Sequence, residues 1–183
     1  MNEWQEDKEW VFRFKNETDK EAPFRLIIRK YQERLYWLIR RMVVNHEDTN
    51  DILQNVFVKA WKGLDNFRED SQLYTWLYRI ATNESLNFIE YNKKRKSISM
   101  DDVDSTYANT LKADKHFDAK KLEWKLQLAI QSLPEKQKLV FQFRYYDEMP
   151  YEEMSRILET SEGALKASYH HAAKKVEDFI LNK

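Results

Sequence analysis

Arg79, Asn83 and Asn87 fall at i, i+4 and i+8, which places them on one stripe of a helix. A carboxamide both donates and accepts hydrogen bonds, the combination that the edge of a nucleobase demands. Just upstream, the stretch Asp65–Ser71 sets Phe67 among polar residues, and an aromatic ring in such a setting can stack on an unpaired base. The plainer readings are a solvated helix face for the asparagines and core packing for Phe67.

A second constellation lies further along the chain. Tyr151–Leu158 fits about two helical turns, with Met154, Ile157 and Leu158 apolar. Glu159–Thr160–Ser161 reads as a tight turn, and either Thr160 or Ser161 can cap the next helix through its hydroxyl. That helix carries Leu165, Tyr169, Ala172, Val176 and Phe179/Ile180 on one face. Its other side presents Gly163, Lys166, Ala167, His170 and Lys174, flanked by Ser168 and His171. A short helix, a turn and a longer helix with a polar outer face suit insertion into a DNA major groove. An ordinary pair of antiparallel helices shares the pattern.

Catalytic chemistry has little to stand on. There is no cysteine, so thiol catalysis, disulfides and thiolate metal sites are excluded. Of His46, His116, His170 and His171, only the last two are close in sequence, and adjacent helical residues diverge by about 100°. Asp101, Asp102 and Asp104 lack the spacing of a calcium loop. With two glycines in 183 residues, no Gly-rich nucleotide loop can be built. The expectation is a protein that is not an enzyme and uses no cofactor and no metal.

The elements that must position these residues are helical. Two glycines and three prolines cannot supply the turns of a sheet protein, and 42% apolar with 14% aromatic residues is enough for a core. Phe24, Ile27/Ile28, Tyr31, Leu35, Leu38 and Met42 predict a helix over 22–45. Ile52, Leu53, Val56, Phe57, Ala60 and Trp61 predict a second over 48–64, with Asp48, Asp51, Asn55 and Lys59 on its other side. A third, over 73–91, packs Leu73, Trp76, Leu77, Ile80, Ala81 and Phe88 and runs into the basic cluster Lys93–Lys96. Periodicity lapses over 97–117, an acidic, Ser-rich stretch that reads as a flexible linker. It returns at Leu122, Leu126 and Ala129/Ile130, breaks at Leu133–Pro134, and resumes over 135–146. No internal repeat is visible. The expected class is therefore all-α, two small helical domains joined by a flexible acidic linker. The expected bounds are an N-terminal extension over 1–21, a first domain over 22–96, the linker over 97–118 and a second domain over 119–183. The first 20 residues, with Trp4, Trp10, Val11, Phe12 and Phe14 among acids, fit a short amphipathic helix on the first domain.

Formal net charge is zero, 31 cations against 31 anions, but acidic and basic blocks alternate along the chain. That pattern suits more than one partner surface, or simply solvated helix faces. The longest stretch free of Lys, Arg, Asp and Glu, Leu126–Pro134, is far short of the about 20 residues of a membrane span. The acidic start MNEWQEDKEW has no apolar core of a signal peptide. A cytoplasmic location is expected.

Three blocks carry a family resemblance. EDTNDILQNVFVKAW (Glu47–Trp61), FREDSQLYTWLYRIATN (Phe67–Asn83) and MPYEEMSRILETSEGALKASYHHAAKK (Met149–Lys175) occur in order. Together they resemble the extracytoplasmic-function class of the sigma-70 family, group 4, two-domain bacterial transcription initiation factors. The resemblance covers roughly 22–182. It implies binding to core RNA polymerase, at the β′ clamp helices and β flap, and to promoter DNA. The first block is similar to the family's polymerase-binding helix, with Asp48, Asp51, Gln54, Phe57 and Trp61 on its characteristic positions; Asp48, Asp51, Gln54 and Asn55 are the implied contacts. The second resembles the loop and helix that open the −10 element. There Phe67 would stack on a base flipped from the non-template strand and Asn83 and Asn87 would bond its edge, with Ser71, Trp76 and Arg79 alongside. The third resembles the −35-reading helix-turn-helix, implying contacts from Arg144, Ser161, Glu162, Lys166, Ser168, His170, His171 and Lys174. The acidic linker resembles the family's connector along the RNA-exit path, and an anti-sigma factor is an implied partner.

This chain departs from the family pattern in places. Glu69 and Glu159 stand where the family often has Gly, and Ser168 and His171 where Arg is frequent. Fewer cations on the recognition helix mean fewer phosphate contacts and weak autonomous binding to duplex DNA. Two further functions remain compatible with the residues. A free-standing helix-turn-helix regulator would bind duplex alone as a dimer. A protein-binding helical adaptor would be indifferent to Phe67, Asn83 and Lys166.

Overall fold

A computed structural model describes residues 3–96 and 121–182. The chain divides into two compact units, Met1–Lys94 and Arg95–Lys183, and the described residues form α-helices and one 3₁₀ turn, with no strand among them. The acidic stretch read as a linker lies outside the described residues.

The first unit holds α1 (Glu3–Asn16), α2 (Glu21–Val43), α3 (His46–Gly63), the 3₁₀ turn Leu64–Asn66 and α4 (Leu73–Lys96). Its core is Ile27, Leu35, Leu38, Ile39, Val56, Leu64 and Leu77, all but sealed from solvent. The i, i+3/i+4 stripes of α2 and α3 account for most of them. Leaving α2, the chain reverses over two residues. Val44 takes φ 65°, its N–H returning to the Arg40 carbonyl at 2.9 Å, and the Asn45 side chain caps α3 by accepting from Glu47 N and Asp48 N. A left-handed β-branched residue is unfavourable, and Val44 is held there by burial at 1% exposure. This cap starts α3 two residues earlier than the apolar stripe predicts. Helix α4 also outruns its expected end at Tyr91, reaching Lys96; no breaker intervenes, and Glu90 pairs with Lys94 at 2.9 Å one turn on.

The segment set apart in the sequence as an N-terminal extension holds helix α1, which contributes to this core. Val11 and Phe14 are buried, and the Phe14 and Phe24 rings each meet Trp61 edge-on at 5.0 Å. Asp7, 5% exposed, accepts from Lys30 Nζ at 2.8 Å and from the Tyr31 hydroxyl at 2.6 Å. A buried carboxylate is tolerable only with such partners.

The second unit holds α5 (Lys121–Gln131), α6 (Glu135–Tyr145), α7 (Tyr151–Leu158) and α8 (Glu162–Asn182). Ala129, Ile130, Leu133, Phe141, Ala172 and Val176 pack together as its core. Pro134 and Pro150, both extended, stand immediately before α6 and α7, where a missing N–H costs nothing. The α7–α8 turn is Glu159–Thr160–Ser161, as the sequence predicts. Ser161 supplies the cap, its Oγ accepting from Ala164 N at 3.4 Å, while the Thr160 hydroxyl turns back to the Leu158 carbonyl.

Candidate functional site

On α4, Arg79, Asn83 and Asn87 are all exposed, while Leu77, Tyr78, Ala81 and Ser85 of the same helix are buried. The polar stripe therefore faces outward along three turns. Lys59 of α3 forms an ion pair with Glu84, so α3 lies beside the stripe. Gly63, at the end of α3, leaves room for the Trp76 indole: a Cβ there would lie 3.1 Å from Trp76 Cζ2.

The loop before α4 buries its aromatic side chain. Phe67 is only 7% exposed, its ring 5.0 Å from that of half-buried Trp76. In this conformation Phe67 packs as a core residue, the plainer of its two sequence readings, with one face taken by Trp76. Glu69 adopts φ 60°, so the position where the family often has Gly does require the left-handed region. Ser71 is half-buried. It lines, with Trp4, Asp7, Lys8, Val11, Phe67, Glu69 and Leu73, a notch between α1 and the loop of about 20 Å³. That is room for about one water, not for a base.

Lys15 joins this loop from α1, a contact that sequence reasoning missed. Its ammonium donates to the Phe67 carbonyl at 2.6 Å and to Glu69 Oε1 at 3.3 Å, across more than fifty residues. Such a contact has no local signature.

On α3, Asp51, Gln54 and Asn55 are exposed and Asp48 is half-buried, with Asp51 and Gln54 one turn apart on a face.

In the second unit Ser161, Glu162, Lys166, His170, His171 and Lys174 are exposed, and Ser168 is half-buried. Lys166 pairs with Glu162 at 3.3 Å and lies 5.5 Å from the centre of the Tyr151 ring. The two histidine rings stand 5.9 Å apart. Arg144 faces inward to the chain: its guanidinium donates to the carbonyls of Glu148 and Met149 at 3.1 and 3.2 Å and lies over Tyr151. It ties down the connection that aims α7. Glu159 closes α7 at φ 50°. Burial pushes the Glu153 carboxyl above the usual carboxylate range, Arg156 opposing the shift and Glu152 adding to it. Among the described residues no cluster of three His, Cys, Asp or Glu could hold a metal ion.

This arrangement, an exposed carboxamide stripe in one unit and a helix-turn-helix in the other, matches a known pairing of domains. The family profile described as Sigma-70 region 2 matches residues 27–95. That described as Sigma-70, region 4 matches 123–176. The chain is 30% identical over 169 residues to the RNA polymerase sigma-H factor of Pseudomonas aeruginosa, covering 87% of this chain and 86% of that one. It is 29% identical over 167 residues to the ECF RNA polymerase sigma-E factor of Escherichia coli K12, covering 86% of each. The chain belongs to the ECF family of RNA polymerase sigma factors. As a sigma factor it is a transcription initiation factor that directs RNA polymerase to promoters. Its fold is shared with CnrH, solved in complex with the cytosolic domain of CnrY, at TM-score 0.70 and 18% identity over 97% of this chain and 99% of that one. It is also shared with the sigma factor RpoE of Bartonella quintana, solved with the anti-sigma factor NepR, at TM-score 0.68 and 16% identity over 86% and 96%. No described helix of this sigma factor is long and apolar enough to cross a membrane.

Proposed function

We propose that this sigma factor divides its work among three surfaces. Asp48, Asp51, Gln54 and Asn55 on α3 dock on the β′ clamp helices of core polymerase. Arg79, Asn83 and Asn87, with the loop from Phe67 to Ser71 and Trp76, hold the unpaired non-template strand of the −10 element. Helix α8 enters the −35 major groove with Lys166, Ser168, His170, His171 and Lys174, the capping residue Ser161 and the first helical residue Glu162 leading. Arg144 serves that contact by fixing the approach to α7, and the second unit meets the β flap. The observation that carries the reading is the exposed Arg79–Asn83–Asn87 stripe, whose carboxamides suit base edges that duplex DNA hides.

No catalytic group is needed. Unstacking a base costs a few kcal/mol, and each base stacked on an aromatic ring returns about 1–3 kcal/mol. Polymerase contacts supply the rest. With Ser168 and His171 where the family often has Arg, the recognition helix offers few phosphate contacts, and the free protein binds duplex promoter weakly. The work is cytoplasmic. A protein inhibitor is the further expected partner, supported by two fold relatives solved with bound partner chains, one an anti-sigma factor.

The test is co-elution of the full chain with core polymerase, followed by permanganate footprinting of the holoenzyme on a mapped promoter. Asn83→Ala with Asn87→Ala should abolish −10 reactivity and leave co-elution intact. Wild-type footprints from that variant would refute the −10 role. Failure of the wild-type chain to bind core would refute the whole reading and favour a regulator acting alone or an adaptor.

A further inference from the structure

Phe67 is bracketed by carboxylates two residues away on either side, and each is held by a lysine from the N-terminal segment. Lys20 Nζ reaches the two Asp65 oxygens at 2.6 and 2.8 Å. Lys15 Nζ reaches Glu69 Oε1 at 3.3 Å. The two pairs are not equal. The Lys20–Asp65 pair is open to water, where an ion pair is weak. Lys15 is more enclosed, at 24% side-chain exposure, and its ammonium does two further things: it donates to the backbone carbonyl of Phe67 at 2.6 Å and stands 5.9 Å from the centre of the Phe67 ring. A single charged donor thus ties the backbone at Phe67 to the side chain at Glu69.

Glu69 needs that tie. At φ 60° a residue with a Cβ is in an unfavourable region that only a surrounding constraint maintains. Its side chain is 41% exposed, and Lys15 holds its carboxylate from α1. α1 makes the lysine a fixed point: Phe14, the residue before it, is fully buried, and Asp7 is bonded to Lys30 and Tyr31 of α2.

We propose that Lys15 is a positioning residue for promoter melting. By bonding the Phe67 carbonyl and the Glu69 carboxylate together, it holds the backbone of the 67–71 loop in one conformation beside the Arg79–Asn83–Asn87 stripe, so that capture of the −10 strand does not have to order the loop. This rests on the assignment of that loop to the −10 element. Lys15 touches no DNA itself; it acts through the loop.

The experiment uses holoenzyme assembled from core polymerase and the full chain, on a promoter carrying 2-aminopurine at successive non-template −10 positions in turn. Lys15→Met keeps the length of the side chain and removes its charge and donors. It should lower the open-complex equilibrium constant about tenfold, the scale of one charged hydrogen bond, and blur which position gains fluorescence. Core affinity should stay at the wild-type value, the thermal midpoint should fall by no more than the few degrees that one hydrogen bond accounts for and stay far above the assay temperature, and Lys15→Arg should restore most of the signal. Wild-type melting by Lys15→Met, beside a defective Asn83→Ala control, overturns the proposal alone. Wild-type melting by both variants overturns the −10 assignment and the proposal with it. A drop in midpoint and core affinity that matches the loss of melting makes Lys15 structural and also overturns it.

Discussion

Replacing Phe67 separates its two roles if the right pair of variants is compared. Phe67 is 7% exposed and packs against Trp76 at 5.0 Å, so Phe67→Ala removes a buried ring and leaves a cavity. Such changes cost about 3–5 kcal/mol. At about 4–8 °C per kcal/mol for a domain of up to 100 residues, even the low end lowers the midpoint by at least about 12 °C. Any melting defect in that variant is therefore ambiguous. Phe67→Leu keeps most of the apolar volume, a change costing under about 1.5 kcal/mol, but deletes the π-face on which a base would stack. If stacking contributes, this variant loses about 1–3 kcal/mol of bubble stabilisation, or about 5- to 150-fold in the open-complex equilibrium constant. The assay is 2-aminopurine fluorescence of holoenzyme against salt, with urea unfolding of the free protein in parallel. Melting and unfolding both at wild-type values in Phe67→Leu would refute the stacking role and leave Phe67 as a packing residue under the loop.

Asp51→Ala with Gln54→Ala should weaken core-polymerase binding at least about tenfold while leaving thermal unfolding unchanged, since both side chains are exposed; titration against labelled core checks it. Glu159→Gly should stabilise the second unit by up to about 1 kcal/mol, the relief of the left-handed backbone at φ 50° less the entropy glycine loses on folding; a higher urea midpoint is the expected reading. Glu153→Gln should also stabilise at neutral pH. Burial raises the folded carboxyl above its usual range, so the wild-type residue favours folding when protonated and loses that contribution as pH rises through the raised value. The advantage of the variant should vanish below about pH 4, where Glu153 is protonated in both states, and urea midpoints at the two pH values test it.

What the sequence determined by itself is local. Helical stripes set α2, α3 and α4. Proline marked the starts of α6 and α7, and a hydroxyl residue the start of α8. Apolar spacing predicted the outward face of α8, and the i, i+4, i+8 spacing put Arg79, Asn83 and Asn87 on one side of α4. Each rests on residues within two or three turns of one another, where helix geometry alone decides who is neighbour to whom. The early start of α3 was within reach too, since Asn45 three residues before Asp48 is a capping pattern that the apolar stripe obscured. Other features were decided only by tertiary structure. Whether Phe67 faces water or the core depends on where Trp76 and α1 lie, and no local pattern states that. Glu69 and Glu159 hide left-handed turns that glycine would have announced. The contacts of Lys15 with Phe67 and Glu69, of Lys20 with Asp65, and of Asp7 with Lys30 and Tyr31 join residues more than twenty positions apart. A charged side chain in a polar stretch looks solvated until the fold brings its partner to it.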